Sequence, residues 1–136
     1  MPSPNAERLR QLYDLPSRMA DALGRPENVH DVLVTLEAIE TLIECYAIGC
    51  SSNSLDIAWR SMTAWPATIP EHFHDLVTGN STPALIVLTR WAAFSVKPVE
   101  EHGCWFLDGA AEKMLRLIRE QLVQNHDGPE ILRLLP

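Results

Sequence analysis

The sequence has few cysteines and few positive charges, and each scarcity excludes a class of protein. Three cysteines in 136 residues, an odd number, argue against a disulfide framework and favour a reduced, intracellular setting, either nucleus or cytoplasm. Eleven basic residues against eighteen acidic ones give a net charge of −7. That balance disfavours direct nucleic-acid binding, because phosphate contacts need clustered lysine and arginine.

Recognisable catalytic and metal-binding motifs are also lacking. The sequence contains no Gly-rich phosphate loop, no GxSxG and no HExxH. His72 and His74 lie two residues apart and point to different sides of a helix, whereas metal-binding histidines on one helix usually lie three or four apart. His102 and Cys104 share a loop, but proximity in sequence does not make a reactive pair. We therefore predict no metal site and no cofactor.

The best candidate for a membrane span is too short. The stretch PALIVLTRWAAFSV, residues 83–96, is apolar on almost every side, but Arg90 interrupts it. A spanning helix needs about 20 apolar residues, and the polar N-terminal stretch has no apolar core like that of a signal peptide. We expect no membrane span. A helix that is apolar all round is instead expected at the centre of a protein core.

Strand-like alternation is weak throughout, whereas helical spacing recurs along the chain. The sequence therefore predicts a single all-α domain over residues 1–136, with about six helices around an apolar central helix at residues 83–97. The N-terminal helical segment, residues 1–26, is a candidate for a peripheral position. Ser3 and Pro4 are typical of its start, Pro16 is expected to kink or split it, and Gly24 to end it.

Spacing and capping residues predict the other helices. The second is expected between Asn28 and Gly49, and its apolar stripe comprises Val29, Val32, Leu33, Leu36, Ile39, Ile43 and Tyr46. The third is expected over 55–63. Thr68 and Glu71 have capping-box spacing, which predicts a short helix over 69–77.

The predicted ends of the later helices depend on proline and glycine. Thr82 is expected to cap the central helix and Pro98 to limit its far end. The last long helix is expected to begin near Trp105 or Phe106 and to run to about Val123. A final short turn is expected from residues 127–129, Asp-Gly-Pro.

Arg90 is the most informative single residue, because charged side chains are rarely buried unless they are paired. It either extends along its stem to the surface or pairs with a buried carboxylate or a ligand oxygen. The aromatic residues of the second half also allow two interpretations, core packing or an apolar pocket with indole N–H groups as polar handles. They are Trp59, Trp65, Trp91, Phe94, Trp105 and Phe106.

Several of these residues occur in an order that resembles a known family. The matching segments are Trp65-Pro66, then Ile69-Pro70 with Phe73 and Leu76, then residues 83–88 followed by Trp91, and finally residues 105–107 with Gly109. They are similar to the C-terminal regulatory region of fungal zinc-cluster transcription factors, in the branch that includes sterol uptake control proteins. Ala110 stands where that family has an aromatic residue. The six-cysteine DNA-binding segment of the family is absent, so the chain is either an excised domain or a complete small protein.

The resemblance implies a transcription-regulating domain that senses an apolar small molecule, sterol-like or polyketide-like, without binding DNA itself. The residues expected to bind that ligand are Leu88, Trp91, Phe94, Trp105 and Met114. Two other interpretations stay open. One is a small enzyme of fungal secondary metabolism, a cyclase or isomerase, with His102, Asp108 and Arg90 as acid/base candidates. The other is a helical homodimerisation module without a ligand.

Overall fold

The computed structural model describes residues 3–24, 28–125 and 129–136. For residues 129 and 130 it describes the backbone only. The fold is all-α, as predicted, and no strand occurs in the described ranges. Residues 127 and 128 of the predicted final turn lie outside them. The helices are α1 Pro4–Leu23, α2 Val29–Gly49, α3 Leu55–Thr68, α4 Glu71–Thr78, α5 Thr82–Trp91, α6 Lys97–Glu101, α7 Ala110–Asn125 and α8 Pro129–Leu132.

Two shorter elements complete the described part of the chain. A π-helical turn, Ala92–Val96, joins α5 to α6, so that Thr82–Glu101 is one helical run. A 3₁₀ turn, Trp105–Leu107, precedes α7. With the run counted as one helix, the prediction of about six main helices agrees with the structure.

The centre of the fold is α5, as its sequence predicts. Ala84, Ile86 and Val87 are fully buried, and α5 packs against α2, α4 and α7. An apolar helix surface has no favourable contact with water, so neighbours on several sides stabilise this helix more than any capping interaction does. The N-terminal residues of the run show this, since Ser81 precedes α5 without a side-chain capping bond and Thr82 already lies within the helix.

Two indole groups connect the helices around α5. The Trp65 indole N–H donates to the Ala38 carbonyl at 2.9 Å, which ties α3 to α2. The Trp91 indole N–H donates to the Met62 carbonyl at 2.9 Å, which ties the helical run to α3. The two rings stack with centroids 5.6 Å apart. Because each buried N–H has an acceptor, these aromatic residues contribute apolar contact area without an unsatisfied donor.

The buried face of α2 differs from the predicted stripe. Ile39 and Tyr46 are buried as expected, but Val29, Leu33 and Leu36 are exposed. The face that packs inward is instead formed by Val34, Thr35, Ala38, Ile39, Leu42, Cys45 and Tyr46. The helix carries apolar residues on more than one side, so the pattern alone does not select the side that the neighbouring helices cover.

Helix α1 belongs to the core rather than to the periphery. It is continuous through Pro16, which was expected to kink or split it. Leu12 and Leu15, from the turn before the proline, are fully buried, and Met19 is buried in the turn after it. Core contacts on both sides of Pro16 thus compensate for the hydrogen bond that its missing N–H removes.

Helix boundaries near prolines and glycines needed correction at three places. Thr68 is the last residue of α3, and its hydroxyl donates to the Ala64 carbonyl. Thr68 therefore does not cap the next helix, and α4 starts at Glu71. Pro98 does not end the central run, which continues through it to Glu101 after the π-helical turn. The last long helix begins at Ala110 rather than near Trp105, because Gly109 has a φ of 77°, which is incompatible with a helix interior.

No helix in the described ranges has both the length and the apolar character that crossing a bilayer requires.

Substituting adjacent residues of α1 tests its place in the core. Leu12→Ala should lower the free energy of unfolding by about 2–5 kcal/mol, because it leaves a cavity in a fully packed site. The control Tyr13→Ala, at a side chain that is 67% exposed, should change it by no more than about 0.5 kcal/mol. Urea unfolding followed by circular dichroism measures both. Equal effects of the two substitutions would mean that α1 is peripheral.

Candidate functional site

The π-helical turn Ala92–Val96 is the most unusual backbone feature of the fold. The Lys97 N–H donates to the Ala92 carbonyl, five residues back, instead of four as in an α-helix. The wider turn comes just before Pro98, which has no N–H to offer. Turns of this kind occur often at functional sites. Here the turn brings Phe94 and Ser95 to the wall of a cavity.

This cavity, which we call the π-turn cavity, has a volume of about 150 Å³. It lies between the start of α1, the end of α2, the start of α3 and the π-helical turn. Its wall combines aromatic rings, hydroxyl groups, a thiol, an imidazole and a guanidinium. The lining residues are Asn5, Arg8, Tyr46, Gly49, Cys50, Ser52, Asn53, Ala58, Ser61, Phe94, Ser95, Pro98 and His102.

Aromatic and cationic groups meet at one side of the π-turn cavity. The rings of Phe94 and Tyr46 have centroids 5.9 Å apart, and the guanidinium carbon of Arg8 lies 5.4 Å from the centroid of Phe94. The Tyr46 hydroxyl donates to the Asn5 side-chain oxygen at 3.1 Å. Burial raises the pKa of Tyr46, so its hydroxyl stays protonated and acts as a hydrogen-bonding group at neutral pH.

The thiol in this cavity is unsuited to nucleophilic chemistry. The Cys50 Sγ–H donates to the Tyr46 carbonyl at 2.8 Å, and burial raises the pKa of Cys50. Burial likewise raises the pKa of Cys45. A nucleophilic cysteine needs a lowered pKa, because the thiolate is the reactive form. The π-turn cavity is therefore better equipped to bind a molecule than to attack one.

The five residues predicted to bind a ligand do not surround this cavity together. Phe94 lines it, whereas Leu88 and Trp91 pack against the main core. Met114 is half-buried on α7. Trp105 is 83% exposed on the 3₁₀ turn, because Gly109 separates that turn from α7 and the aromatic side chain does not point back into the bundle.

The three acid/base candidates do not line one cavity together. His102 lines the π-turn cavity, while Asp108 is exposed at the end of the 3₁₀ turn. Arg90 is 1% exposed and lines a second cavity. General acid/base catalysis needs such groups within hydrogen-bond reach of one substrate, and neither of these two cavities is lined by more than one of the three residues.

The second cavity, which we call the arginine cavity, has a volume of about 460 Å³. It lies between α1, the end of α5 and the C-terminal segment, and its lining residues are Arg10, Gln11, Asp14, Arg18, Arg90, Arg133, Leu135 and Pro136. A third cavity of about 260 Å³ lies beside it along α7, and its lining residues are Thr89, Ala93, Lys97, Glu112, Leu115, Arg116, Arg119, Leu135 and Pro136.

Sequence reasoning missed the contribution of α1 to the π-turn cavity. Arg8 was not among the residues that the sequence analysis singled out. It precedes Leu12 by four residues and Leu15 by seven, and this spacing places it on the buried face of α1. The spacing could have placed Arg8 on the buried face of α1 only if the two leucines were already known to lie in the core.

Among residues 3–24, 28–125 and 129–136, no group of three or more His, Cys, Asp or Glu side chains is arranged to hold a metal ion. All three cysteines are free thiols.

Comparison with known proteins gives one informative similarity. No protein-family model matches the chain, and no solved structure matches it. The chain is 41% identical over 123 residues to the orsellinic acid/F9775 biosynthesis cluster protein D of Emericella nidulans (strain FGSC A4). The alignment covers 90% of this chain and 25% of that protein, so the chain spans about a quarter of the length of the relative. It is therefore similar to part of a protein named for a secondary-metabolite biosynthesis cluster.

The raised pKa of Cys50 predicts slow alkylation. At pH 7 a raised pKa leaves a smaller thiolate fraction, so iodoacetamide should modify Cys50 more slowly than it modifies free glutathione. The rate should increase as the pH rises above the usual thiol pKa of about 8.5. Mass spectrometry of peptides assigns the modified cysteine, with Cys50→Ser as the control. Modification at pH 7 as fast as that of glutathione would contradict the argument.

Proposed function

We propose that this chain is a helical small-molecule-binding domain with a regulatory role in fungal secondary metabolism, and that its ligand is a single-ring, polyketide-like phenol. The observation that carries the proposal is the π-turn cavity, where Phe94, Tyr46 and Arg8 surround a space beside an interrupted helix. This arrangement offers aromatic surface, a cation and hydroxyl groups to one small molecule.

The volume of the π-turn cavity favours one of the two ligand classes that the sequence suggested. An apolar cavity of about 150 Å³ is large enough to bind benzene, and this cavity has that volume. Pockets for drug-sized molecules usually measure about 300–1,000 Å³ and are predominantly apolar. A sterol would exceed the π-turn cavity, and the larger arginine cavity has charged walls. A single aromatic ring fits better than a sterol.

The lining groups also suit a phenol. Phe94 and Tyr46 can pack against an aromatic ring in offset or edge-to-face geometry. Phenolic hydroxyls would exchange hydrogen bonds with Asn5 and Ser95, which line the same space. Arg8 would interact with an oxygen that carries partial or full negative charge. Each polar group of the ligand would thus replace a contact with water by one with the protein.

The similarity to the orsellinic acid cluster protein supports this ligand class. The name of that relative refers to orsellinic acid biosynthesis, and orsellinic acid is a single-ring phenolic carboxylic acid. The relative is about four times as long as the aligned region, so its name describes a larger protein. A phenol related to that pathway is therefore a reasonable first ligand for this domain.

The regulatory part of the proposal rests on two features. The chain resembles the C-terminal region of fungal zinc-cluster regulators, and its net charge of −7 is unfavourable for direct DNA contact. A ligand in the π-turn cavity would contact the π-helical turn and α1 together, and would therefore stabilise their packing. His102 lines the π-turn cavity without Asp108 or Arg90, which favours binding over turnover there.

A neutral phenol tests this proposal. Orcinol at about 100 times its dissociation constant should stabilise the protein by about 2.7 kcal/mol, seen as a higher melting temperature, and should slow alkylation of Cys50. Arg8→Met removes the cation that faces Phe94 and should weaken binding. Arg60→Met is the matched control, because Arg60 is exposed on α3 and pairs only with the neighbouring Asp56 among the described residues. Ergosterol serves as the competing ligand class.

The same two measurements can contradict the proposal. The proposal fails if orcinol and related phenols leave both the melting temperature and Cys50 alkylation unchanged. Stabilisation by ergosterol without any effect of orcinol would support a sterol-like ligand instead of a phenol.

A further inference from the structure

We propose that the arginine cavity is a binding site for a small organic oxyanion, a carboxylate or a phosphate ester, with Arg90 as its buried cation. This site is separate from the π-turn cavity and does not depend on the ligand proposed for it. The cavity walls come from α1, α5 and the C-terminal segment, and none of the residues that line it also lines the π-turn cavity.

The first argument is the burial of Arg90. Its side chain is 1% exposed, and its Nε and Nη1 atoms have no hydrogen-bond acceptor within the described part of the chain. Burial, followed by the nearby positive charge of Arg18, lowers the pKa of Arg90 to about 10. That pKa lies well above neutrality, so Arg90 is charged at pH 7. A buried, charged guanidinium is unfavourable unless an anion pairs with it.

The second argument is the charge of the cavity wall. Arg10 pairs with Glu7 and with Asp14 on its own helix, so the side-chain carboxylate that lines the cavity, that of Asp14, already has a partner. Arg18 uses one N–H to donate to the Arg133 carbonyl at 2.8 Å, which fixes it beside the C-terminal segment. Arg18, Arg90 and Arg133 form no ion pair with any described residue. Positive charge is thus concentrated here in a protein of net charge −7.

The third argument is the size and composition of the cavity. About 460 Å³ exceeds what one inorganic ion occupies and lies within the usual range for small-molecule pockets. Gln11 adds an amide, and Leu135 and Pro136 add apolar surface. The expected ligand therefore has an oxyanion that faces the arginines and a small organic body. Arginine binds carboxylates and phosphates by charge-assisted hydrogen bonds, so both chemistries fit.

Binding of aliphatic anions to the whole chain tests this site without involving the aromatic groups of the other cavity. Citrate and glycerol 3-phosphate are the probes for the two chemistries, inorganic phosphate is the minimal anion, and uncharged glycerol is the negative control. Isothermal titration calorimetry should detect binding of at least one anion, and added sodium chloride should weaken it by screening. The preference between citrate and glycerol 3-phosphate identifies which oxyanion the site takes.

Substitutions assign the binding to this cavity. Arg90→Met and Arg18→Gln should each raise the dissociation constant by about tenfold or more, because each removes a charge-assisted contact. Arg60→Gln makes the same charge change on exposed α3 and should stay within about twofold of wild type. Arg90→Met should also keep or raise the melting temperature without ligand, since an apolar side chain of similar length replaces an unpaired buried charge.

Two results would overturn the proposal. The first is the absence of binding by all three anions at low salt. The second is binding that Arg90→Met, Arg18→Gln and Arg133→Gln leave unchanged, which would place the anion elsewhere. If Arg90→Met does not fold, the dissociation constants of Arg18→Gln and Arg133→Gln, both at exposed positions, test the proposal instead.

Discussion

The burial of one helix on all sides determines most of this structure. Ala84, Ile86 and Val87 of α5 have no exposed surface, so α2, α4 and α7 must cover them. Any polar residue on the same helix is then buried with its neighbours. Thr89 and Arg90 are both buried, and Arg90 cannot extend to water along its stem as lysine and arginine do near a surface. The position of Arg90 at a cavity is thus a consequence of how the apolar part of α5 packs.

The same helical run must also accommodate Pro98, and the π-helical turn is the local solution. Proline lacks the N–H that an α-helix uses, and its ring crowds the carbonyl four residues earlier. The turn Ala92–Val96 replaces one α-helical hydrogen bond by the Lys97-to-Ala92 bond, which widens the helix before the proline. As a result the run continues to Glu101, and Phe94 and Ser95 reach the wall of a cavity. One backbone irregularity therefore preserves the core helix and creates the candidate site.

The sequence allowed correct prediction of those features that depend on local chemistry. The apolar run of α5 indicated a central helix, and Ser3, Asn28 and Gly24 fixed helix ends through their capping geometry. Predictions that depended on distant contacts were less successful. On α2 both Leu33 and Val34 are apolar, and only the neighbouring helices decide that Val34 is buried.

The residues of the candidate site were even harder to predict from the sequence than the buried face of α2. Phe94 was predicted to bind a ligand because of its aromatic ring, but its partners Arg8 and Tyr46 come from helices far away in sequence. No spacing rule connects residues of three helices before their packing is known. Trp105, another predicted ligand-binding residue, is 83% exposed on the 3₁₀ turn before Gly109, which its aromatic character did not indicate. Helix α1 is the element that both proposed sites share, because Arg8 faces one cavity and Arg18 faces the other. Ligands at the two proposed sites would therefore contact the same helix, although the two cavities share no lining residue.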